Sequence, residues 1–263
     1  MAAARGASLR CLTAMCSLIV LRGLTSEHPL FVAANRDERL DRKASPPGVF
    51  YGERRRILSP RDRVAGGTWL AVNDLGRIAG ITNVIGEPEV EGAPSRGHLP
   101  HLALDHDELE EGVQAVLDRV AAAAHAAFQL VVADARRCFV IRHVRGEASC
   151  VEWQEPTLAL TNEHAAGDWS PRGLDAARPS TLGVDARLDA LADCVRDRGG
   201  DGDHAVCKHG DDYGTVSSSL IAVPREDVAA LTWRYAPGPP DVTSYRSYGN
   251  LAARLLPGAD ELG

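Results

Sequence analysis

Short apolar runs, paired around polar turns, recur along most of this chain. Leu18–Leu21 and Leu30–Ala34 flank Thr25-Ser26-Glu27-His28-Pro29, and Trp69–Val72 and Ile78–Thr82 flank Asn73-Asp74-Leu75-Gly76. Gln129–Ala133 and Cys138–His143 flank Asp134-Ala135-Arg136-Arg137, and Ser217–Val223 is followed by Leu231–Tyr235. Runs this short, closed by turn-forming residues, read as β-hairpins rather than helices. Leu158–Thr161 adds a further strand ending at Asn162. Helical spacing shows in two blocks. Leu109, Val113, Val116, Leu117 and Val120 recur along one helical face within 105–127, behind Glu108, Glu110 and Glu111, with Asp105 or Asp107 as the cap. Leu182–Arg198 alternates apolar and charged residues and is the second. Residues 41–65 are basic and Pro-rich, and predict an exposed loop with at most one short strand; Arg54-Arg55-Arg56 reads as solvated. With no internal repeat and no long linker, the pattern predicts one domain of hairpin-built sheets covered by helical blocks.

Composition narrows the function classes. Apolar residues make up 44 % and charged residues 25 % of the 263, ordinary values for a folded globular chain. The net charge of −7 argues against a nucleic-acid or anionic-membrane partner, which would need a basic face, and leaves room only for a local basic patch. No apolar run reaches the roughly 18–20 residues of a membrane span. The six cysteines show no CxxC pair, which predicts free thiols in a reducing compartment such as the cytoplasm.

The N-terminus admits three readings. Residues 1–14 carry Arg5 and Arg10 and no acid, as secretory and organelle-targeting segments do. A lipoprotein signal ending at Cys16 is disfavoured, because Met15 stands where a small residue is needed. The third reading makes Met15 the true start. Removing that methionine leaves Cys16 at the terminus, with its own α-amine beside its thiol. An α-amine has a pKa of about 7.7–8.0, so part of it is neutral at pH 7 and can take the thiol proton. A strand cysteine is otherwise an ordinary core residue.

The residues around Cys16 carry a resemblance. Cys16 followed by Ala34-Asn35-Arg36-Asp37-Glu38-Arg39, then Gly66-Gly67-Thr68-Trp69-Leu70-Ala71-Val72-Asn73, Thr82-Asn83, Ser95-Arg96-Gly97, Leu160-Thr161-Asn162 and Tyr213-Gly214-Thr215, resembles the NRDE family, the transport and Golgi organisation family. The resemblance implies an α+β fold of N-terminal-nucleophile-hydrolase type, a four-layer αββα sandwich, close to the choloylglycine-hydrolase and penicillin-acylase branch. It implies a single domain over residues 15–263 with residues 1–14 as an extension. Cys16 becomes the nucleophile, and Asp37 of the Asn-x-Asp element holds its terminal amine. Asn83 and Asn162, at strand ends, donate to a developing oxyanion. Asn35 and Arg36 contact substrate. That branch has an arginine directly before Asn-x-Asp. Here Ala34 stands there, and Arg36 inside the motif is expected on the opposite face of the strand. Val216 replaces the basic residue that often follows Tyr-Gly-Thr in the family.

Two functional readings follow. One is an enzyme acting on an amide- or thioester-linked acyl group. The other is a non-enzymatic carrier of haem or acyl-coenzyme A on the same scaffold. Neither implies a resident cofactor. His204-x-x-Cys207-x-His209 has the look of metal spacing, but no second pair accompanies it, so no metal site is expected.

Overall fold

A computed structural model describes residues 16–88, 90–199 and 205–256. The N-terminal extension and His204 lie outside them. The strands in chain order are β1 (Ser17–Arg22), β2 (Leu30–Arg39), β3 (Ala44–Tyr51), β4 (Arg56–Asp62), β5 (Leu70–Asn73), β6 (Ile78–Asn83), β7 (Phe128–Ala133), β8 (Cys138–Val144), β9 (Glu147–Glu152), β10 (Thr157–Thr161), β11 (Tyr213–Val223), β12 (Thr232–Ala236) and β13 (Arg246–Ser247). The helices are α1 (Leu99–Leu104), α2 (Leu109–Ala122), α3 (Leu174–Ala177) and α4 (Val184–Arg196). One sheet runs β10-β1-β2-β11-β12-β13 and the other β3-β4-β5-β6-β7-β8-β9, with antiparallel neighbours in both.

The period of two along each strand builds the layers. In β1, Leu18 and Val20 face inward with Val32, Leu58, Leu70 and Val131, the core between the sheets. Ile19 and Leu21 face outward and pack with Phe31 under Leu188 and Leu191 of α4. On the second sheet, Ala71, Ala79, Leu130 and Val132 face outward under Val113, Val116 and Val120 of α2. The order is therefore helix, sheet, sheet, helix, the αββα sandwich. Strands buried on both faces read as unbroken apolar runs, which is why Leu18-Ile19-Val20-Leu21 shows no alternation in sequence.

Three expectations need correction. Residues 41–65 are an antiparallel pair, β3 with β4, rather than an exposed loop. Pro46 and Pro47 hide β3, and the register shifts between Ser45 and Gly48 around them; β3 is an edge strand, where proline costs no ladder bond. The first helical block holds one helix, α2, as expected, with the short α1 before it, and only its cap differs. Asp105 does not cap α2: it ends α1, and its carboxylate accepts from the backbone N–H groups of Glu53, Arg54 and Arg55. Nor does Asp107 cap it; Glu108 stands at that position, without a side-chain cap bond. Third, β2 continues through Asn35-Arg36-Asp37-Glu38 instead of ending before them.

Candidate functional site

Cys16 stands one residue before β1. The registers Ser17–Asn35 and Ser17–Thr161 set it beside Arg36 on β2 and Asn162 after β10. Its Sγ lies 3.4 Å from the Asp37 amide nitrogen, which donates to it, and 3.5 Å from the Asp37 carbonyl. Asp37 is buried, and its Oδ1 accepts from Thr215 Oγ1 at 2.7 Å. Thr215 Oγ1 in turn accepts from the Lys208 amide at 2.9 Å, and the Tyr213 hydroxyl donates to the Asp37 carbonyl. Tyr-Gly-Thr, at the start of β11, is thus the support for Asp37. The ladder between β11 and β2 slips between Thr215 and Ser217, leaving Val216 as the extra residue opposite Arg36 and Asp37. A bulge at such a place re-aims side chains.

A cavity of about 240 Å³ opens at Cys16, lined by Arg36, Asp37, Glu38, Asp62, Trp69, Asn83 and Arg96 among others. Arg36 is buried and directed into this wall. Its Nη2 donates to Asp62 Oδ2 at 2.8 Å, and its guanidinium lies 4.6 Å from the centre of the Trp69 ring. Arg42 Nε reaches the same Asp62 oxygen at 2.7 Å. Asp62 Oδ1 accepts from the Val64 and Ala65 amides, both at 2.9 Å. Burial works against the Asp62 carboxylate, but the Ala65 and Val64 amides and Arg42 outweigh it and hold its pKa below the usual range. Gly66-Gly67-Thr68 and Ser95-Arg96-Gly97 form one wall together. Thr68 N donates to Gly97 O at 2.8 Å, and a Cβ on Gly67 would meet the Gly97 carbonyl carbon at 2.3 Å.

The structure brings Cys16, Asp37 and Asn83 to one cavity. Asn162 adjoins Cys16 through the backbone, its N–H donating to the Cys16 carbonyl at 3.3 Å. Its Oδ1 is buried without a hydrogen-bond partner among the described residues. Asn35 goes elsewhere. Its Nδ2 donates to the carbonyls of Val195 at 2.8 Å and Val206 at 3.0 Å, so its amide nitrogen anchors the end of α4 and the segment beyond it. Arg36 is a correction in the other direction. Positions 34 and 36 share one face of β2, so the shifted arginine still lines the cavity. Asp62, Arg42 and Trp69 were not singled out from sequence for this cavity; the acid within the basic stretch Arg61-Asp62-Arg63 was the available signal.

With Met15 still attached through a peptide bond, the Cys16 thiol is pushed up to about 12. Burial is the largest cause and the Asp37 carboxylate the next, against smaller opposing effects of the Asp37 amide and Arg36. In that state it is a poor nucleophile.

The profile of the family described as transport and Golgi organisation 2 matches residues 15–173. A bovine transport and Golgi organization protein 2 homolog is 33 % identical over 151 residues, 53 % of this chain and 52 % of the relative. The chain thus spans about half of that relative's length. The human homolog is 28 % identical over 243 residues, 78 % of this chain and 86 % of the relative. Among solved structures, a Caenorhabditis elegans N-acylethanolamine-hydrolyzing acid amidase ortholog superposes with a TM-score of 0.50 at 11 % identity, over 78 % of this chain and 92 % of that one. A mutant conjugated bile acid hydrolase from Clostridium perfringens gives 0.46 at 10 % identity, over 89 % and 96 %. The fold is that of the N-terminal nucleophile hydrolases, and the chain belongs to the transport and Golgi organisation 2 family.

Proposed function

We propose that this protein, once its chain begins at Cys16, is a cysteine N-terminal nucleophile amidohydrolase or acyltransferase acting on an amide- or thioester-linked acyl group. Residues 1–14 are then an extension outside the domain, and 15–263 a single domain whose Met15 is removed to free the Cys16 amine. The observation that carries the reading is the placement of Cys16 Sγ against the Asp37 amide in a cavity also lined by Asn83. In the proposed reaction the α-amine takes the thiol proton and sulfur attacks the acyl carbonyl carbon. Asn83 and Asn162 donate N–H to the oxyanion, each contributing about 3 kcal/mol to the transition state. Collapse breaks the bond to the amine or thiol leaving group, which takes the proton from the ammonium. Water, or an acceptor in a transferase, then releases the acyl group from sulfur. The Asp37 carboxylate holds the amine in position. Arg36, which lines the cavity, is the proposed donor to a substrate oxygen.

A panel of N-acyl amides and acyl thioesters, incubated with a chain starting at Cys16, tests this. The expected result is an acyl adduct on the Cys16 peptide and product release, both lost in Cys16→Ala. No adduct and no turnover from any member would set the reading aside.

The alternative, a non-enzymatic carrier of haem or acyl-coenzyme A, fits a chain in which Cys16 stays peptide-linked, where burial and Asp37 hold its thiol protonated. The small, charged cavity suits the polar end of an acyl conjugate better than an apolar macrocycle. A cytoplasmic setting fits the five described cysteines, all of them free. No described helix is long and apolar enough to cross a membrane.

A further inference from the structure

Outside the Cys16 cavity, three side chains of metal-binding type converge. Cys207 is buried, His209 sits two residues on, and Asp241 arrives from the loop after β12. Cys207 Sγ lies 3.1 Å from Asp241 Oδ1, and His209 Nε2 lies 3.0 and 2.9 Å from the two Asp241 oxygens. The sulfur and the imidazole nitrogen are 3.9 Å apart. A tetrahedral zinc centre with bonds of about 2.0–2.3 Å has donor–donor edges of about 3.3–3.8 Å. The triangle found here, 3.9, 3.1 and about 3 Å on its sides, brackets those edges, so small side-chain adjustments suffice to close it on an ion.

We propose that Cys207, His209 and Asp241 form a binding site for a divalent cation of the zinc class. One thiolate, one imidazole and one carboxylate make a donor set that selects zinc-like ions over magnesium or calcium, which take oxygen ligands. Thiolate and carboxylate together neutralise the ion's two charges. Binding forms the metal–sulfur bond and releases the thiol proton to solvent. Three protein donors leave a fourth position, and a cavity of about 260 Å³ lined by Cys207, His209, Arg198, Lys208 and Tyr213 adjoins them to admit water or a small anion. Arg198 Nε stands 3.6 Å from Asp241 Oδ2 and orients that carboxylate from outside. The sequence shows the Cys-x-His half of this cluster. Asp241 joins it only through the fold, which is why sequence spacing lacks the second half.

Placement gives the ion a structural consequence. Lys208, between the two donors, donates its amide to Thr215, and Thr215 donates to Asp37. An ion at Cys207 and His209 braces the segment that positions Asp37.

The test uses the full chain, stripped with a chelator, and Zn²⁺ or Co²⁺ alone as the probe. Native mass spectrometry is expected to count one zinc per chain. Cys207→Ser, His209→Ala and Asp241→Asn should each weaken binding by at least roughly 100-fold in competition with a chromophoric chelator, more than loss of an outer-layer partner typically costs. Cobalt should give a thiolate charge-transfer band that disappears in Cys207→Ser and persists in Cys16→Ser and Cys150→Ser. The half-exposed His209 ring makes His209→Ala the variant that keeps its fold, checked by circular dichroism. No competitive uptake, or uptake unchanged in both His209→Ala and Asp241→Asn, overturns the proposal; the three residues are then an ordinary hydrogen-bonded cluster.

Discussion

At the residue scale, the chemistry turns on what is attached to Cys16. A peptide-linked Cys16 has its thiol pushed up to about 12, by burial first and then by Asp37. A terminal Cys16 gains a cation beside the sulfur, and Asp37 changes from an unfavourable neighbour of a thiolate into a partner for the ammonium. Asp62 is the second residue on which the cavity depends. It gathers Arg36, Arg42 and the Val64 and Ala65 amides, so Asp62→Asn takes the hydrogen-bonded carboxylate from the buried Arg36 guanidinium and leaves it, among the described residues, only Glu38, 3.7 Å away. The expected loss is about 3 kcal/mol at pH 7 in urea melts. Because the folded-state pKa of Asp62 is depressed, its contribution is present above the ordinary carboxylate range and lost as pH falls below it. The gap between wild type and variant should therefore close in acid. Asn35 shows what sequence could not tell here. Its motif was legible, but whether its amide met substrate or the carbonyls at the end of α4 depended on which face of β2 it took.

At the scale of elements, the apolar hairpins were legible because their runs and turns are local signals. β3 was not, since its prolines are tolerated only by an edge place that the sequence does not reveal. β9 is an edge strand with exposed side chains, so it shows no apolar pattern at all. Two predictions belong to this scale. Gly67→Ala forces the 66–68 and 95–97 segments apart, and should cost about 1–3 kcal/mol in urea melts. A wild-type stability would show that the wall is loose. His101 of α1 lies 2.9 Å from Ser59 Oγ on β4, and its pKa is lowered from 6.5 to about 4, by burial first and then by the charges of His98 and Arg61. The unfolded chain takes up that proton first, so the stability His101 contributes is full above about 6.5 and drains away as pH falls toward 4. Replacing it in His101→Gln should flatten the stability curve in that window by about 1–3 kcal/mol relative to wild type. An unchanged slope would mean that the ring is already solvated.

For the whole molecule, the layers share strands: each sheet contributes one face to the central core and the other to a helical layer. Neither sheet can lose its partner without exposing the face that it gives to the central core. A chain starting at Cys16 should therefore melt in one cooperative transition, with calorimetric and van't Hoff enthalpies in agreement. Two transitions would divide the proposed single domain. The same sandwich brings Asn83, from the β5–β6 hairpin, to Cys16 and Asp37 of the β1–β2 hairpin, a convergence that the family motifs implied and local sequence could not show. The most direct test is competitive alkylation of a chain confirmed by intact mass to begin at Cys16. On exposure alone Cys150, on the edge strand β9, should win, because Cys138, Cys194 and Cys207 are buried. The account predicts the reverse: limiting iodoacetamide at pH 7 labels Cys16 first, and Asp37→Asn shifts the pH profile of that labelling with the fold intact. Labelling of Cys16 no faster than Cys150 would contradict a primed nucleophile and leave the carrier reading in its place.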